Sequence, residues 1–204
     1  MMSDGTTESD DLEDRWPKEG DRLFVESGWS YDACVATVRK PAERFYRMPM
    51  GYKRAGDILI DRAAVDVVDR PNVIYAAIFC YRQSIELFLK GLVEEFGAHS
   101  PQYNHDLASL WKRFMSIVDE RGARASDGLS AMERLVMEMD EADRRSTGFR
   151  YPEGSVGPPF LTRERGIDLA NIREVMQGMQ NFFECCHLHF AHQDDPGPIG
   201  NRWR

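Results

Sequence analysis

The chain has 204 residues, 42% of them hydrophobic, which allows one large domain or two very small ones with an ordinary buried core. No apolar run approaches the roughly 20 residues that cross a bilayer, and the amino terminus lacks the charged-then-apolar pattern of a secretory leader, so a cytoplasmic protein without a membrane partner is expected. The net charge of −8 belongs largely to one tail: six of the 34 acids (Asp4, Glu8, Asp10, Asp11, Glu13, Asp14) fall in residues 1–14, which hold no base, so the near-neutral body does not exclude a nucleic-acid partner.

Residues 1–20 read as a disordered acidic tail and 21–49 as an irregular N-terminal extension. Trp16, Trp29 and Tyr31 fall in this part of the chain, with a short strand expected around Ala33–Val38. Pro41 and Pro49 argue against any long helix there. A helical bundle is expected over 50–192 and a C-terminal tail over 193–204. Its first helix, 50–69, places Tyr52, Ala55, Leu59, Ala63 and Val67 at spacings of three and four. Asp69-Arg70-Pro71 breaks it, and Pro71 suits the first turn of the next helix. That second helix, 71–97, is apolar nearly all round, so other helices must surround it; Gly97 is its C-cap candidate. The third starts near Asn104 as N-cap, with Asp106 in the first turn and Leu107, Leu110, Trp111, Phe114, Ile117 and Val118 inward. The fourth runs from about Leu129 to Asp143, with Ser130-x-x-Glu133 as a capping box. A Gly- and Pro-rich loop covers 144–163. The fifth helix, about 164–192, carries Leu169, Ile172, Met176, Met179, Phe183, Cys186 and Phe190 on one side. The fold class is therefore all-α, an up-and-down bundle of about five helices behind an irregular extension.

A contradiction inside the second helix is the most informative feature. Gln83, Glu86 and Lys90 share one face of a segment otherwise built for burial. Buried charge is costly unless paired. Glu86 reaches Lys90 at i+4 and Arg82 one turn earlier. Either the stripe meets water along a wet edge, or it meets a second polar segment. Two segments qualify: His105-Asp106, and Thr147-Gly-Phe-Arg-Tyr-Pro152, where Arg150 stands between Phe149 and Tyr151. A planar five-donor guanidinium suits carboxylates and phosphates; its plainer role is a salt bridge to Glu86 that anchors the loop.

These residues resemble a known pattern. Tyr81-Arg-Gln-Ser-Ile-Glu-Leu-Phe-Leu-Lys90, followed after a linker by His105-Asp-Leu-Ala-Ser-Leu-Trp111, is similar to the core of HEPN domains, and Phe149-Arg-Tyr-Pro152 is similar to a segment of some HEPN-like bacterial proteins. The resemblance covers roughly 50–192. It implies a bundle of four or five helices that pairs into a homodimer. In many members it implies metal-independent ribonuclease activity in defence and toxin–antitoxin systems, and in others binding of nucleotides or partner proteins. The ribonuclease members carry an Arg followed after four to six residues by a His; none of His99, His105, His187, His189 or His192 has an Arg at that spacing. The standard nuclease motif is therefore absent.

The expected function is binding of RNA or a nucleotide, within a defence or toxin–antitoxin module whose partner is a nucleotidyltransferase-type antitoxin. The expected surface groups Gln83, Lys90 and Tyr151 as ligand-binding residues with Glu86, His105 and Arg150. The enzyme version makes these last three catalytic in a metal-independent ribonuclease, His105 moving protons and Arg150 clamping phosphate. The competing class is a protein-interaction module whose polar cluster is structural. A second RNA candidate is residues 38–54, where six bases are interleaved with Phe45, Tyr46 and Tyr52; the alternative there is a solvated helix face. Cys185-Cys-His-Leu-His189 offers two ligands at i and i+4, too few for a metal without help from elsewhere. Cys34, Cys80, Cys185 and Cys186 follow no disulfide spacing. No cofactor and no metal are expected.

Overall fold

The structure is a computed structural model of the chain, and it describes residues 16–25, 41–97, 105–122, 127–144, 146–150 and 166–194. The acidic residues 1–14, Ala33–Val38 and Tyr151 lie outside them. The chain divides at Thr37/Val38 into two units. In the first, the Asp21 carboxylate accepts the Lys18 N–H across a turn at Glu19-Gly20. All five helices belong to the second: α1 Pro41–Val65, α2 Arg70–Phe96, α3 Leu107–Glu120, α4 Asp127–Ala142 and α5 Leu169–Asp194. Among the described residues there is no strand.

Helix α2 is the axis of the bundle, as its all-round apolarity requires. Tyr81, Ile85, Phe88, Leu89 and Leu92 are buried, and so are the polar Arg82, Ser84 and Glu86. Helices α1, α3 and α5 pack on it, and α4 lies along α3. Phe88 stacks on Phe183 of α5 with ring centres 5.2 Å apart, and Trp111 and Phe114 of α3 reach Phe182 of the same helix. At the far end of α3, Arg121 lies 5.1 Å over the rings of both Phe96 and Phe190 while it pairs with Asp194 at 2.8 and 2.9 Å. One guanidinium thus joins the ends of three helices.

Five element boundaries differ from expectation, one of them the end of α1 at Val65 rather than 69, which leaves Val67 exposed in the turn that follows. Helix α1 begins at Pro41 rather than at 50 and runs through Pro49. Proline needs no N–H in a first helical turn, so Pro41 suits the start. Pro49, though it lacks an N–H, is buried, and its carbonyl accepts the Ser84 hydroxyl of α2 at 2.9 Å. The N-cap of α3 is Asp106, not Asn104: its carboxylate accepts the Ala108 and Ser109 N–H groups. Helix α4 begins at Asp127, which places Ser130 and Glu133 inside the helix, where no capping box forms. Asp168 caps α5 by accepting the Ala170 and Asn171 N–H groups, so that helix starts at Leu169 instead of 164. Gly97 does end α2, with its N–H on the Val93 carbonyl and an extended backbone.

The approach of α1 to α2 is set by one glycine. A Cβ on Gly56 would lie 2.5 Å from the Tyr81 ring, so only a residue without a side chain lets the ring sit on the α1 backbone. The Tyr81 hydroxyl then donates to Asp57 at 2.9 Å. Burial, reinforced by Asp57, pushes that phenol well above the ordinary tyrosine value, so it keeps its proton. Asp57 also receives Lys53 at 2.8 Å, and Lys53 donates in addition to Gln177 of α5. Gly56→Ala is expected to cost about 1–3 kcal/mol through overpacking, read by urea unfolding; the same change in a Tyr81→Leu background should cost clearly less.

Candidate functional site

The polar stripe of α2 meets a second polar segment. Arg82 and Glu86 are one helical turn apart and both fully buried, with Arg82 Nη1 donating to Glu86 Oε2 at 2.7 Å. Glu86 Oε1 accepts from Lys90 Nζ at 2.6 Å and faces His105 Nδ1 at 2.8 Å. Burial alone would push the Glu86 carboxyl upward, but the hydrogen bonds from Lys90 and Arg82, the Lys90 charge and the His105 contact outweigh it and hold the group below the ordinary glutamate value.

The ionised carboxylate fixes the histidine. A carboxylate can only accept, so the proton of a neutral His105 ring sits on Nδ1 and the lone pair on Nε2. The His105 side chain is 59% exposed, although its carboxylate partner is wholly buried. Its backbone is held as well, because Arg82 Nη2 donates to the His105 carbonyl. The result is an oriented imidazole at the surface whose outward nitrogen makes no hydrogen bond among the described residues. This is the geometry of a carboxylate-supported acid–base or hydrogen-bonding group.

On the other side Arg82 gives Nε to the Asp143 carbonyl at 2.8 Å. Asp143 in turn organises the chain after α4: its Oδ1 accepts the Thr147 and Gly148 N–H groups at 2.8 and 3.0 Å. That turn carries Ser146 at a positive φ of 56° and seats Phe149 in a small core with Ile78 and Ala142. Asp140, one turn before Asp143, accepts the Leu107 N–H at 3.1 Å and Arg144 at 3.3 Å. Burial, then the neighbouring charge of Asp106, pushes the Asp140 carboxyl up. In Asp106, burial is outweighed by hydrogen bonds from Ser109, Asp140 and Ala108, so that carboxyl is held low.

Of the residues singled out in the sequence, Glu86, Lys90 and His105 come together. Gln83 is half-buried and makes no hydrogen bond in this cluster. Arg150 is held elsewhere: its Nε donates to the Ser146 carbonyl and its guanidinium lies 5.6 Å over the Phe79 ring. Arg82, not Arg150, is the guanidinium on Glu86. Asp140, Asp143 and Arg144 join this region of the structure without being singled out by the sequence. The readable signal was that positions 140 and 143 continue the inward stripe of Met132 and Val136, where an acid is out of place unless bonded. In the 38–54 stretch Lys53 turns inward, whereas Arg47 and Arg54 remain exposed. Among the described residues no group of three or more His, Cys, Asp or Glu side chains could hold a metal ion, and no described helix is long and apolar enough to cross a membrane.

An all-helical bundle whose central helix carries a buried ion network under a surface histidine is the class that fold and site define. The family model for the HEPN domain matches residues 69–188, from the start of α2 to the body of α5, and the chain belongs to that family. At family level the function is RNA-related or nuclease-like, and such domains often bind RNA and dimerise. No curated protein matches the chain, and no solved structure does.

Removing one member of the buried pair leaves an uncompensated charge. Glu86→Ala is expected to lose about 3–5 kcal/mol, and the double change Arg82→Met with Glu86→Leu should lose less than Glu86→Ala alone. A carboxyl held below its ordinary value contributes stability that is full above the unfolded glutamate pKa of about 4.3 and disappears as pH falls through the folded value. Urea titrations from pH 7 to pH 3 should therefore show a steeper acid loss in the natural protein than in Glu86→Gln.

Proposed function

We propose that this chain binds RNA at the surface around His105, and that it works within a bacterial defence or toxin–antitoxin module. The observation that carries the reading is the tethered imidazole: a side chain 59% exposed is locked in one tautomer by a carboxylate that is wholly buried. Such a group offers a fixed partner to a phosphate oxygen or a ribose hydroxyl. Arg144, with its side chain 74% exposed, stands at the same end of α3, linked through Asp140 to the Leu107 N–H. Lys90 adds a further cation beside Glu86. A nucleotide has the same phosphate and ribose chemistry and is the smaller version of the same ligand.

The same geometry favours a second reading, a metal-independent ribonuclease. In it, Nε2 of His105 takes the proton of the 2′-hydroxyl as that oxygen bonds to the adjacent phosphorus; the bond from phosphorus to the 5′-oxygen breaks, the leaving oxygen takes a proton from water, and Glu86 stabilises the imidazolium. Arg150 belongs to this reading only as a phosphate clamp supplied from the 146–150 turn. The partner in a toxin–antitoxin pair is a nucleotidyltransferase-type antitoxin, a proposal that rests on the family alone.

A labelled single-stranded RNA, followed by fluorescence anisotropy, tests the site. His105→Ala and Arg144→Ala should each weaken binding about tenfold, which is about 1.4 kcal/mol, with little change in melting temperature. Incubation in EDTA separates the two readings: cleavage that disappears in His105→Ala marks the ribonuclease. Binding unchanged in both variants, with only the melting temperature lowered, would make the cluster structural and the chain an interaction module.

A homodimer is part of the same proposal. Ile58, Val65, Val67, Val68 and Tyr75 are all exposed around the α1–α2 turn, and an apolar group of that kind suits an interface. Sedimentation should show a dimer that Val65→Glu with Val68→Glu converts to a monomer.

A further inference from the structure

The α4 side of the bundle holds a feature that the histidine site does not use. Between the C-terminal half of α4 and the first half of α5 lies a cleft of about 550 Å3. Its floor is apolar and includes Met139, Phe149, Ile172, Met176 and Met179. Among the described residues its charged lining is Glu138, Glu141 and Asp168, with no lysine, arginine or histidine. Glu138 and Glu141 are exposed on the outer side of α4, and Asp168 is exposed at the start of α5. One sign of charge around an apolar floor selects the complementary sign in a ligand. An anionic nucleotide or RNA backbone is thereby disfavoured, which separates the cleft from the surface around His105.

Shape narrows the choice. Helix α5 borders the cleft from Asp168 to Met179, a length of about 16 Å at 1.5 Å per residue, or three turns of a second helix. Helix α4 lies along α3, and the cleft separates its C-terminal half from the first half of α5. Apolar side chains at three- and four-residue spacing on an inserted helix would meet this floor, and its basic face would meet the carboxylates. Methionine suits such a surface because the thioether side chain repacks at low cost around different apolar shapes.

We propose that this cleft is a docking site for a basic amphipathic helix of a partner protein. The apolar face of that helix lies against the half-buried Met139, Ile172 and Val175, with Met176 and Met179 buried directly behind them. Its lysines or arginines pair with Glu138, Glu141 and Asp168.

The test uses the full chain and a labelled 14-residue peptide that presents leucines on one helical face and lysines on the other. A second peptide carries glutamates in place of the lysines. Fluorescence anisotropy should show binding of the lysine peptide, weakening as salt rises, and no binding of the glutamate peptide. Glu138→Lys with Glu141→Lys should weaken the lysine peptide at least about tenfold. Asp119→Lys with Glu120→Lys, the same charge change on the exposed end of α3, should leave binding nearly unaltered. With methyl-labelled methionine, the signals of Met139, Met176 and Met179 should shift on titration while that of the core residue Met132 stays in place. Equal loss in the two charge-reversed proteins would show adsorption to an acidic surface and overturn the proposal. Unmoved methionine signals would overturn it as well. Self-association abolished by Glu138→Lys with Glu141→Lys, without peptide binding, would assign the cleft to a second copy of this chain instead.

Discussion

An ion pair with no access to water governs this molecule. Arg82 and Glu86 sit side by side in the helix that every layer of the bundle surrounds, and neither can be solvated. Each must therefore find all its partners within the protein, and the search for partners determines the local architecture. The guanidinium takes the carbonyls at the entry to α3 and the exit from α4. The carboxylate takes Lys90 and the His105 ring. Segments far apart in sequence are thus gathered to one point by the need to pair the buried Arg82 and Glu86. Burial of apolar surface could hold the same helices together, but it would not specify where their ends meet.

The same network accounts for an exposed group with a defined orientation. Surface histidines ordinarily sample several rotamers and both tautomers. Here the ring is held through one nitrogen and the backbone through its carbonyl. Rigidity is borrowed from the interior, and the outward nitrogen stays free for chemistry or recognition. The HEPN match begins at Asp69 and so contains this network from Arg82 to the turn after α4, whereas α1 lies outside the matched stretch although it packs along α2.

Much of this was readable from the residue pattern, and the misreadings have physical causes. The apolarity of α2 and the inward stripes of α3 and α5 follow from periodicity, and the cost of burying charge names the His105-Asp106 segment as one of two polar segments that Glu86 could meet. The identity of the guanidinium follows from neither. Arg82 and Arg150 were both candidates, and the i, i+4 partner prevails because it needs no loop to bring it in. Asn104 and Asp106 are equally good caps by residue type; Asp106 is the one directly before the first buried residue, Leu107. Asp140 and Asp143 do not stand out in the residue pattern because an acid near a helix end is by default a solvated one. Two prolines argue for a late start of α1, yet Pro41 occupies a first turn and Pro49 gives its carbonyl to the buried Ser84.

The close fit of Gly56 against the Tyr81 ring has a consequence for how the sequence can drift over generations. Any side chain at 56 collides with the aromatic ring, and a smaller residue at 81 opens a hollow and strands Asp57 without its phenol. Each position is therefore closed to change while the other keeps its present residue. In descendants of a common ancestor the two sites are expected to vary as a unit, and a lineage that admits alanine at the first should carry an aliphatic residue at the second.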